Sequence, residues 1–532
     1  MMSHSSGRSV ATPHNLPADI DSFIGRDREL EAIERLLLQT RLLTLTGAGG
    51  SGKTRLALMI ARTAVRAFMD GAWLVELAPV ADSGLVARTI SSALGVHGSP
   101  GQSELAALVT ALSSRRLLLV LDNCEHLIGG CARVVESLLV ACPHVRILTT
   151  SREPLRARGE TTWRVPPLEV PPPAPEQTAA SPEALIRVES VALFVKRAEA
   201  RRPDFRLTSE NAAAVEGICR RLEGLPLAIE LAAAQVRVLP PAQIERLLDG
   251  ALRVLGSGTR TETRQETLQG ALDWSYMLLS DEEQRLLRRL AVFAGGFDLE
   301  AVEGVCGGDG IGTDRCLALL TALIDKSLVE PAMPGVTARF RLLEPIRQYA
   351  WYRLADRDYV ETVRRRHARY FLQLAETAEP KLMSGERGLW MERLVREQDN
   401  LRAALSWSRH ATEGADIEIG LRLAGTLTFY WTFRGETNEG LEWVEALLAG
   451  GPAAGRYPAT PAVRAKALYC ACELAWLSGR TALARERAEE SVALWRRLGE
   501  KRWLAYTLQS LPMAVDNPSA VESVAESLRL FE

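Results

Sequence analysis

Between Leu42 and Val165 the apolar positions gather into short, nearly unbroken runs: LLTLT (42–46), WLVEL (73–77), LLLVL (117–121), VRILT (145–149) and TWRV (162–165). A strand with one wet face alternates apolar and polar residues, whereas a run apolar throughout must be covered on both faces, as parallel strands between helices are. The intervening stretches, such as RLALMIARTA (55–64), carry helical spacing. The pattern predicts a doubly wound α/β domain over residues 16–165. VPPLEVPPPAPEQ (165–177) is too proline-dense for a helix or a sheet interior and predicts a linker over 166–181.

Strand signals then nearly vanish. Residues 182–261 read as a helical domain, with Pro226 at a helix start, where its missing N–H costs nothing. Residues 262–356 show three helical segments followed by LVEP, the turn-like AMPGVTA and RFRLL, which is the order of a winged helix; Ser280 and Glu283 predict a capping box on the second helix. From 357 to 532 the chain is helical, and AEESVALW (488–495) returns as VAESLRLF (524–531), an offset of 36 residues that suits tetratricopeptide-like helix pairs. Each repeat buries its apolar face only on its neighbours, so an array reaching Glu532 on a second helix is expected either to meet a partner or to be shorter than in its relatives.

Composition adds exclusions. A chain of 532 residues with 47% hydrophobic and 24% charged residues and a net charge of −2 is that of an ordinary multidomain globular protein, without the basic excess of a polyanion binder. Residues 1–15 are Ser-rich and lack an apolar core, so they read as a disordered tail and not a secretory signal. No apolar run approaches the roughly 18 residues of a membrane span. Eight cysteines without a C-x-x-C pair point to a reducing, cytoplasmic setting in which thiols pack as small apolar groups; Cys470 and Cys472 diverge on a helix and are expected in the core.

The chemistry concentrates in GAGGSGKT (47–54), which satisfies G-x-x-x-x-G-K-(S/T) between a strand and a helix. Gly47, Gly49, Gly50, Ser51 and Gly52 are expected to turn backbone N–H groups toward phosphate oxygens, Lys53 to contact the β- and γ-phosphates, and Thr54 to hold Mg²⁺, with Arg55 next in line. A second Mg²⁺ ligand is expected at the end of an adjacent strand, and RRLLLVLDNCEHL supplies Asp122 there. Where many ATPases carry a second carboxylate, this chain has Asn123; Glu125 either reaches the site or is an exposed helix-start residue, so slow hydrolysis is expected. Arg152, just past the run VRILT, is placed to sense a γ-phosphate by bidentate hydrogen bonding, or else is a solvated loop arginine.

SFIGRDREL (22–30), the phosphate loop, LVLDNCEH, LTTSREPL, GLPLAIELAA (224–233) and RFRLLEPIRQYA (339–350) together resemble the signal-transduction ATPases with numerous domains, the NB-ARC-like class that includes plant disease-resistance proteins and apoptosome scaffolds, and most of all its bacterial LuxR-like regulators and predicted ATPases. The resemblance rests on specific motifs over 16–356 and on generic helical repeats over 357–532. It implies that Ile24 and Arg26 lie near the adenine of ATP or ADP, that Arg152 is the first sensor arginine and that Pro226 packs on the base. From the residues alone, Phe23 and Ile24 form a hydrophobic staple before a helix whose inner face is Leu30, Ile33 and Leu37, and Pro226 is a helix-start proline. The family's winged helix often carries a Met-His-Asp triplet at the ADP β-phosphate; the matching residues here are Leu342, Leu343 and Glu344, without an imidazole.

Three functions compete. The resemblance implies a switch, closed with ADP, open and self-assembling with ATP, with an inducer ligand or protein at the helical repeats and an output in transcription. A winged helix reading DNA directly is the second, but the helix expected at 314–325 offers Arg315 alone as a cation, and the basic run RRRHAR (364–369) lies elsewhere, so DNA contact by this chain is not expected. A continuously turning-over ATPase is the third.

Overall fold

The five apolar runs form five parallel strands: β1 (Leu42–Thr46), β2 (Ala72–Glu76), β3 (Leu118–Asp122), β4 (Arg146–Ser151) and β5 (Glu160–Arg164), side by side in the order β2-β3-β4-β1-β5. The computed structural model describes residues 12–18, 22–96, 98, 102–172, 181–253, 260–332, 338–355, 359–449, 459–510 and 524–529. They divide into two units, one of 1–96, 104–287 and 317–350, the other of 97–103, 288–316 and 351–532.

In the first unit, α1 (Asp27–Gln39) and α2 (Lys53–Ala64) cover one face of the sheet, and α3 (Val86–Leu94), α4 (Glu104–Leu112) and α5 (Ile128–Ala141) the other. The two-residue period of a strand divides β1 between these layers: Leu43 and Leu45 join Ile33, Leu56 and Ile60, while Leu42 joins Ile90, Leu119 and Leu138. Inside the sheet the polar pair Thr149 and Thr44 is satisfied internally by a 2.7 Å hydroxyl bond. Residues 12–15, expected in the tail, are instead fastened to edge strand β2: His14 bridges Ala72, and the Asn15 amide exchanges bonds of 2.8 and 2.6 Å with the Leu74 backbone. An unpaired strand edge offers backbone donors and acceptors, and this segment takes them; residues 1–11 lie outside the described residues.

The start of the proline-rich stretch is also anchored, Leu168 N–H donating to Gly224 O at 2.9 Å and Ser190 N–H to Glu169 O at 3.2 Å; residues 173–180 of the expected linker lie outside the described residues. Then come α6 (Pro182–Leu185), α7 (Glu189–Arg201), α8 (Ala212–Arg221), α9 (Pro226–Ala234), α10 (Pro241–Arg253) and α11 (Arg260–Met277). Pro226 is the first residue of α9, which packs on α7 and α11 and buries Leu227, Ile229 and Leu231.

The next segment runs α12 (Asp281–Leu290), the short strand β6 (Phe297–Asp298), α13 (Leu299–Cys306), α14 (Cys316–Asp325), the antiparallel pair β7 (Glu330–Ala332) and β8 (Arg339–Arg341), and α15 (Glu344–Ala355). The capping box forms: Ser280 N–H donates to Glu283 Oε2 at 2.7 Å and Glu283 N–H to Ser280 Oγ at 3.3 Å. α13 was not among the three expected helices. It spans eight residues with Gly304 inside, too short for a periodic signal, and its legible mark is the N-cap Asp298, which accepts from Ala301 N–H at 2.8 Å.

The second unit continues with α16 (Val360–Leu382), α17 (Arg387–Arg396), α18 (Gln398–Arg409), α19 (Gly414–Thr426), α20 (Thr428–Arg434), α21 (Thr437–Leu448), α22 (Pro461–Leu477), α23 (Thr481–Leu498) and α24 (Lys501–Ser510). α22 packs on α19, α21 and α23, burying Cys470 and Cys472. All eight cysteines are free and buried. Among the described residues no helix is long and apolar enough to cross a membrane.

Candidate nucleotide-binding site

β1 ends at Thr46 and α2 begins at Lys53, so residues 47–52 form a loop at the C-terminal edge of the parallel sheet, where α/β folds place their ligands. Gly50 and Gly52 have φ of 72° and 84°, conformations that cost a β-carbon, and a Cβ on Gly50 would sit 2.9 Å from that of Leu227. The Lys53 ammonium folds into the loop, donating to Gly47 O at 2.9 Å and Ala48 O at 3.0 Å. Burial lowers its pKa; Glu125 and Asp122 oppose that shift and Arg152 adds to it.

β4 lies between β1 and β3, which brings Thr150 beside Asp122. Asp122 Oδ1 accepts from the Thr54 hydroxyl at 2.8 Å and from that of Thr150 at 2.5 Å, and Thr150 Oγ1 accepts Asn123 N–H at 2.9 Å. Burial raises the Asp122 carboxyl above its ordinary range, and the two hydroxyls pull it back. Glu125 faces the site: its Oε1 accepts Arg152 Nε at 3.1 Å, and its buried Oε2 has no partner. Arg152 Nη2 donates to Gln348 Oε1 of α15 at 2.5 Å, and the same nitrogen lies 3.7 Å from where a Cβ on Gly49 would stand.

Arg26 is 4% exposed and binds the loop, donating through Nη2 to Ser51 O at 2.7 Å and Pro166 O at 3.1 Å. Its backbone N–H donates to Glu189 Oε1 at 2.6 Å, and desolvation lowers the guanidinium pKa. Ile24 is half-buried two residues before it, while Phe23 packs on the cluster holding Ile33 and Leu37. Pro226 Cγ lies 3.8 Å from the position of a Cβ on Gly52, and Leu227 N–H donates to Gly50 O at 3.3 Å, so the start of α9 rests on the loop. The structure therefore gathers Arg26, Gly47, Gly49, Gly50, Ser51, Gly52, Lys53, Thr54, Asp122, Glu125, Arg152 and Pro226. Arg55, expected with them, turns to α9 and pairs with Glu230 at 3.0 Å, because its place on α2 faces the helical domain.

Thr150, Glu189, Leu227 and Gln348 escaped the sequence reading. Thr150 had a legible signal, a polar residue closing an apolar strand, and Leu227 and Gln348 lie inside GLPLAIELAA and RFRLLEPIRQYA; Glu189 arrives from a distant segment and had none. Glu344, at the third place of the family triplet, pairs with Arg347 at 2.8 Å and accepts Gln348 Nε2 at 2.8 Å.

The residues fit a nucleotide with a divalent cation. Arg26 Nη1, Ser51 Oγ and Glu125 Oε2 are buried polar atoms without partners, each costly unless something pairs with it. The cavity at the loop, bounded by Gly47, Ala48, Ser51, Val165 and Leu225, measures only about 20 Å³, room for a single water.

Residues 279–355 match the winged helix-turn-helix domain family, so the match starts with α12 and leaves α11, which packs on α9 and α10, outside it. The chain is 42% identical over 478 residues to "Putative HTH-type transcriptional regulator Rv0890c" of Mycobacterium tuberculosis, covering 89% of this chain and 52% of that protein. It is 40% identical over 366 residues to "Uncharacterized protein Rv0894" of the same species, covering 68% of this chain and 89% of that one. Regulatory protein AfsR of Streptomyces griseus is 29% identical over 371 residues, 66% of this chain and 34% of its own length. The chain spans about half the length of the first of these relatives. Among solved structures, the signal transduction ATPase with numerous domains PH0952 from Pyrococcus horikoshii, with a tetratricopeptide repeat sensor, aligns at a TM-score of 0.52 and 14% identity, over 97% of this chain and 72% of that one, a likeness of fold.

Proposed function

The chain belongs to the same family as Rv0894 of Mycobacterium tuberculosis, and from that premise we propose that it is a nucleotide-gated regulatory switch acting in transcriptional control. The observation that carries this reading is the double attachment of Arg152, to Glu125 beside the phosphate loop and to Gln348 of α15. A residue placed to read phosphate is tied to a distant part of the chain, and a ligand can shift a conformational equilibrium only by binding its two states unequally.

In this reading the loop N–H groups and Lys53 hold the phosphates of ATP or ADP, Thr54 and Asp122 hold Mg²⁺, and Ile24, Arg26 and Pro226 lie toward the base. Bound Mg²⁺ screens phosphate charge. Arg152 discriminates triphosphate from diphosphate, and Glu125 is the nearest carboxylate for orienting water. Asn123 lacks the charge for that task, so hydrolysis is a slow reset. The helical segment from 357 onward, read as tetratricopeptide-like repeats, receives the inducer, and the triphosphate form self-assembles in the cytoplasm.

A second reading, direct DNA binding, is favoured by the winged-helix match over 279–355 and by the name of Rv0890c. α14 argues against it: its exposed positions include Leu317, Ala318 and Thr321, none of them a cation that could neutralise phosphate.

Calorimetric titration with ADP and with a non-hydrolysable ATP analogue, on wild type and Lys53→Ala, tests the site; light scattering in each nucleotide tests assembly. Loss of the charged ammonium is expected to weaken binding about ten- to hundred-fold. Absence of binding by the folded wild type would refute the reading, and equal particle mass in both nucleotides would remove the assembly step.

A further inference from the structure

We propose that Gln348 of α15 sets the preference of this site between di- and triphosphate by competing for Arg152. The inference rests on the nucleotide reading above and deepens it.

Arg152 has one nitrogen, Nη2, that both donates to Gln348 Oε1 at 2.5 Å and lies against the phosphate loop, 3.7 Å from the position of a Cβ on Gly49. Its Nε is held separately by Glu125 at 3.1 Å, so the guanidinium is anchored at one end while Nη2 is the end that can exchange acceptors. Both bonds have the charged guanidinium as donor, but a phosphate oxygen also carries charge and an amide oxygen carries none, so the ion pair displaces the bond to the amide when both acceptors reach the same donor.

The Gln348 amide is oriented for this role. Its Nε2 donates to Glu344 Oε1 at 2.8 Å, and Glu344 is itself gripped by Arg347 through bonds of 2.8 and 2.9 Å. With Nε2 committed to a carboxylate, the oxygen has to face Arg152. Arg347, Glu344, Gln348, Arg152 and Glu125 form one chain of hydrogen bonds from α15 to the turn after β3. The terminal phosphate of a triphosphate takes Nη2 from Gln348, whereas a diphosphate, one phosphate shorter, leaves that bond in place.

The test compares Gln348→Leu with wild type, using the ratio of dissociation constants for ADP and a non-hydrolysable ATP analogue, with Arg152→Ala and the double variant completing a cycle. Removal of the acceptor is expected to shift the ratio toward triphosphate by roughly three- to ten-fold, chiefly through tighter analogue binding, and to have no effect once Arg152 is absent. Gln348 lies at the surface, and a circular dichroism melt checks the fold of each variant. If wild type binds neither nucleotide, the underlying reading fails; if both bind and Gln348→Leu leaves the ratio unchanged, or shifts it equally without Arg152, the inference alone is overturned.

Discussion

The hydroxyls of Thr54 and Thr150 donate to the same oxygen of Asp122, one from the start of α2 and the other from the end of β4. Two strands and a helix thus fix one carboxylate whose burial raises its pKa. The folded protein holds the Asp122 proton more tightly than the unfolded chain does. Its contribution to stability is therefore fully present below the ordinary carboxylate value of 3.8 and is lost as pH rises through the raised folded value. Asp122→Asn is expected to raise the melting temperature of the nucleotide-free protein at neutral pH and to abolish the Mg²⁺ dependence of nucleotide affinity. Melts and titrations with and without Mg²⁺ check both; a lower melting temperature at neutral pH contradicts the first.

Asn123 has φ of 66°, a left-handed conformation that Asn and Asp tolerate better than other side-chain-bearing residues. Asn123→Asp therefore adds a carboxylate after Asp122 at little conformational cost. If the missing charge limits turnover, phosphate release accelerates by roughly 10²-fold or more, within the roughly 10²- to 10⁴-fold range of a positioned general base. An unchanged rate would transfer the limiting role to conformational opening.

The parallel sheet was legible because strands covered on both faces read as nearly unbroken apolar runs, with few polar residues such as Thr44 and Thr149, which bond to each other; Gly47, Lys53, Thr54 and Asp122 were legible because a G-x-x-x-x-G-K-T loop and an acid closing an apolar strand are specific patterns. What sequence could not show is how distant segments meet. Gln348 reads as an unremarkable helix residue and gains its meaning only from Arg152, as Glu189 does from the Arg26 backbone. Arg55 misled for the converse reason: adjacency to Thr54 suggested the site, but the helix turns it toward Glu230.

On α14, Leu317 and Ala318 occupy exposed positions that a DNA-reading helix would fill with donors. Electrophoretic mobility on random duplex at low salt is expected to show little retardation by this chain, with a salt slope below that of about two phosphate contacts. Tight binding with a steep salt slope, reduced by Arg315→Glu, would favour the direct DNA reading instead.

His367 in α16 is 2% exposed, its ring 4.6 Å from that of Phe371 and 5.5 Å from that of Phe293. Its one polar neighbour among the hydrogen bonds described is Asn400 Oδ1, 3.4 Å from Nε2, and that amide is engaged with the 294–296 loop, accepting Ala294 N–H at 3.1 Å and donating to Gly296 O at 3.0 Å. Burial outweighs the bond to Asn400 and pushes the imidazole from 6.5 down to about 4. The unfolded chain then binds the proton more readily, so the contribution of His367 is complete above pH 6.5 and drains away as pH falls toward 4. The shift corresponds to at most about 3 kcal/mol, of which about 2 kcal/mol is lost at pH 5. His367→Gln keeps a polar partner for Asn400 and removes the titration. Its unfolding transition in the second unit, followed by tryptophan fluorescence in urea, should move between pH 7 and pH 5 by about 2 kcal/mol less than that of wild type. Equal acid sensitivity in both proteins would show that the acid lability of this unit arises from other groups.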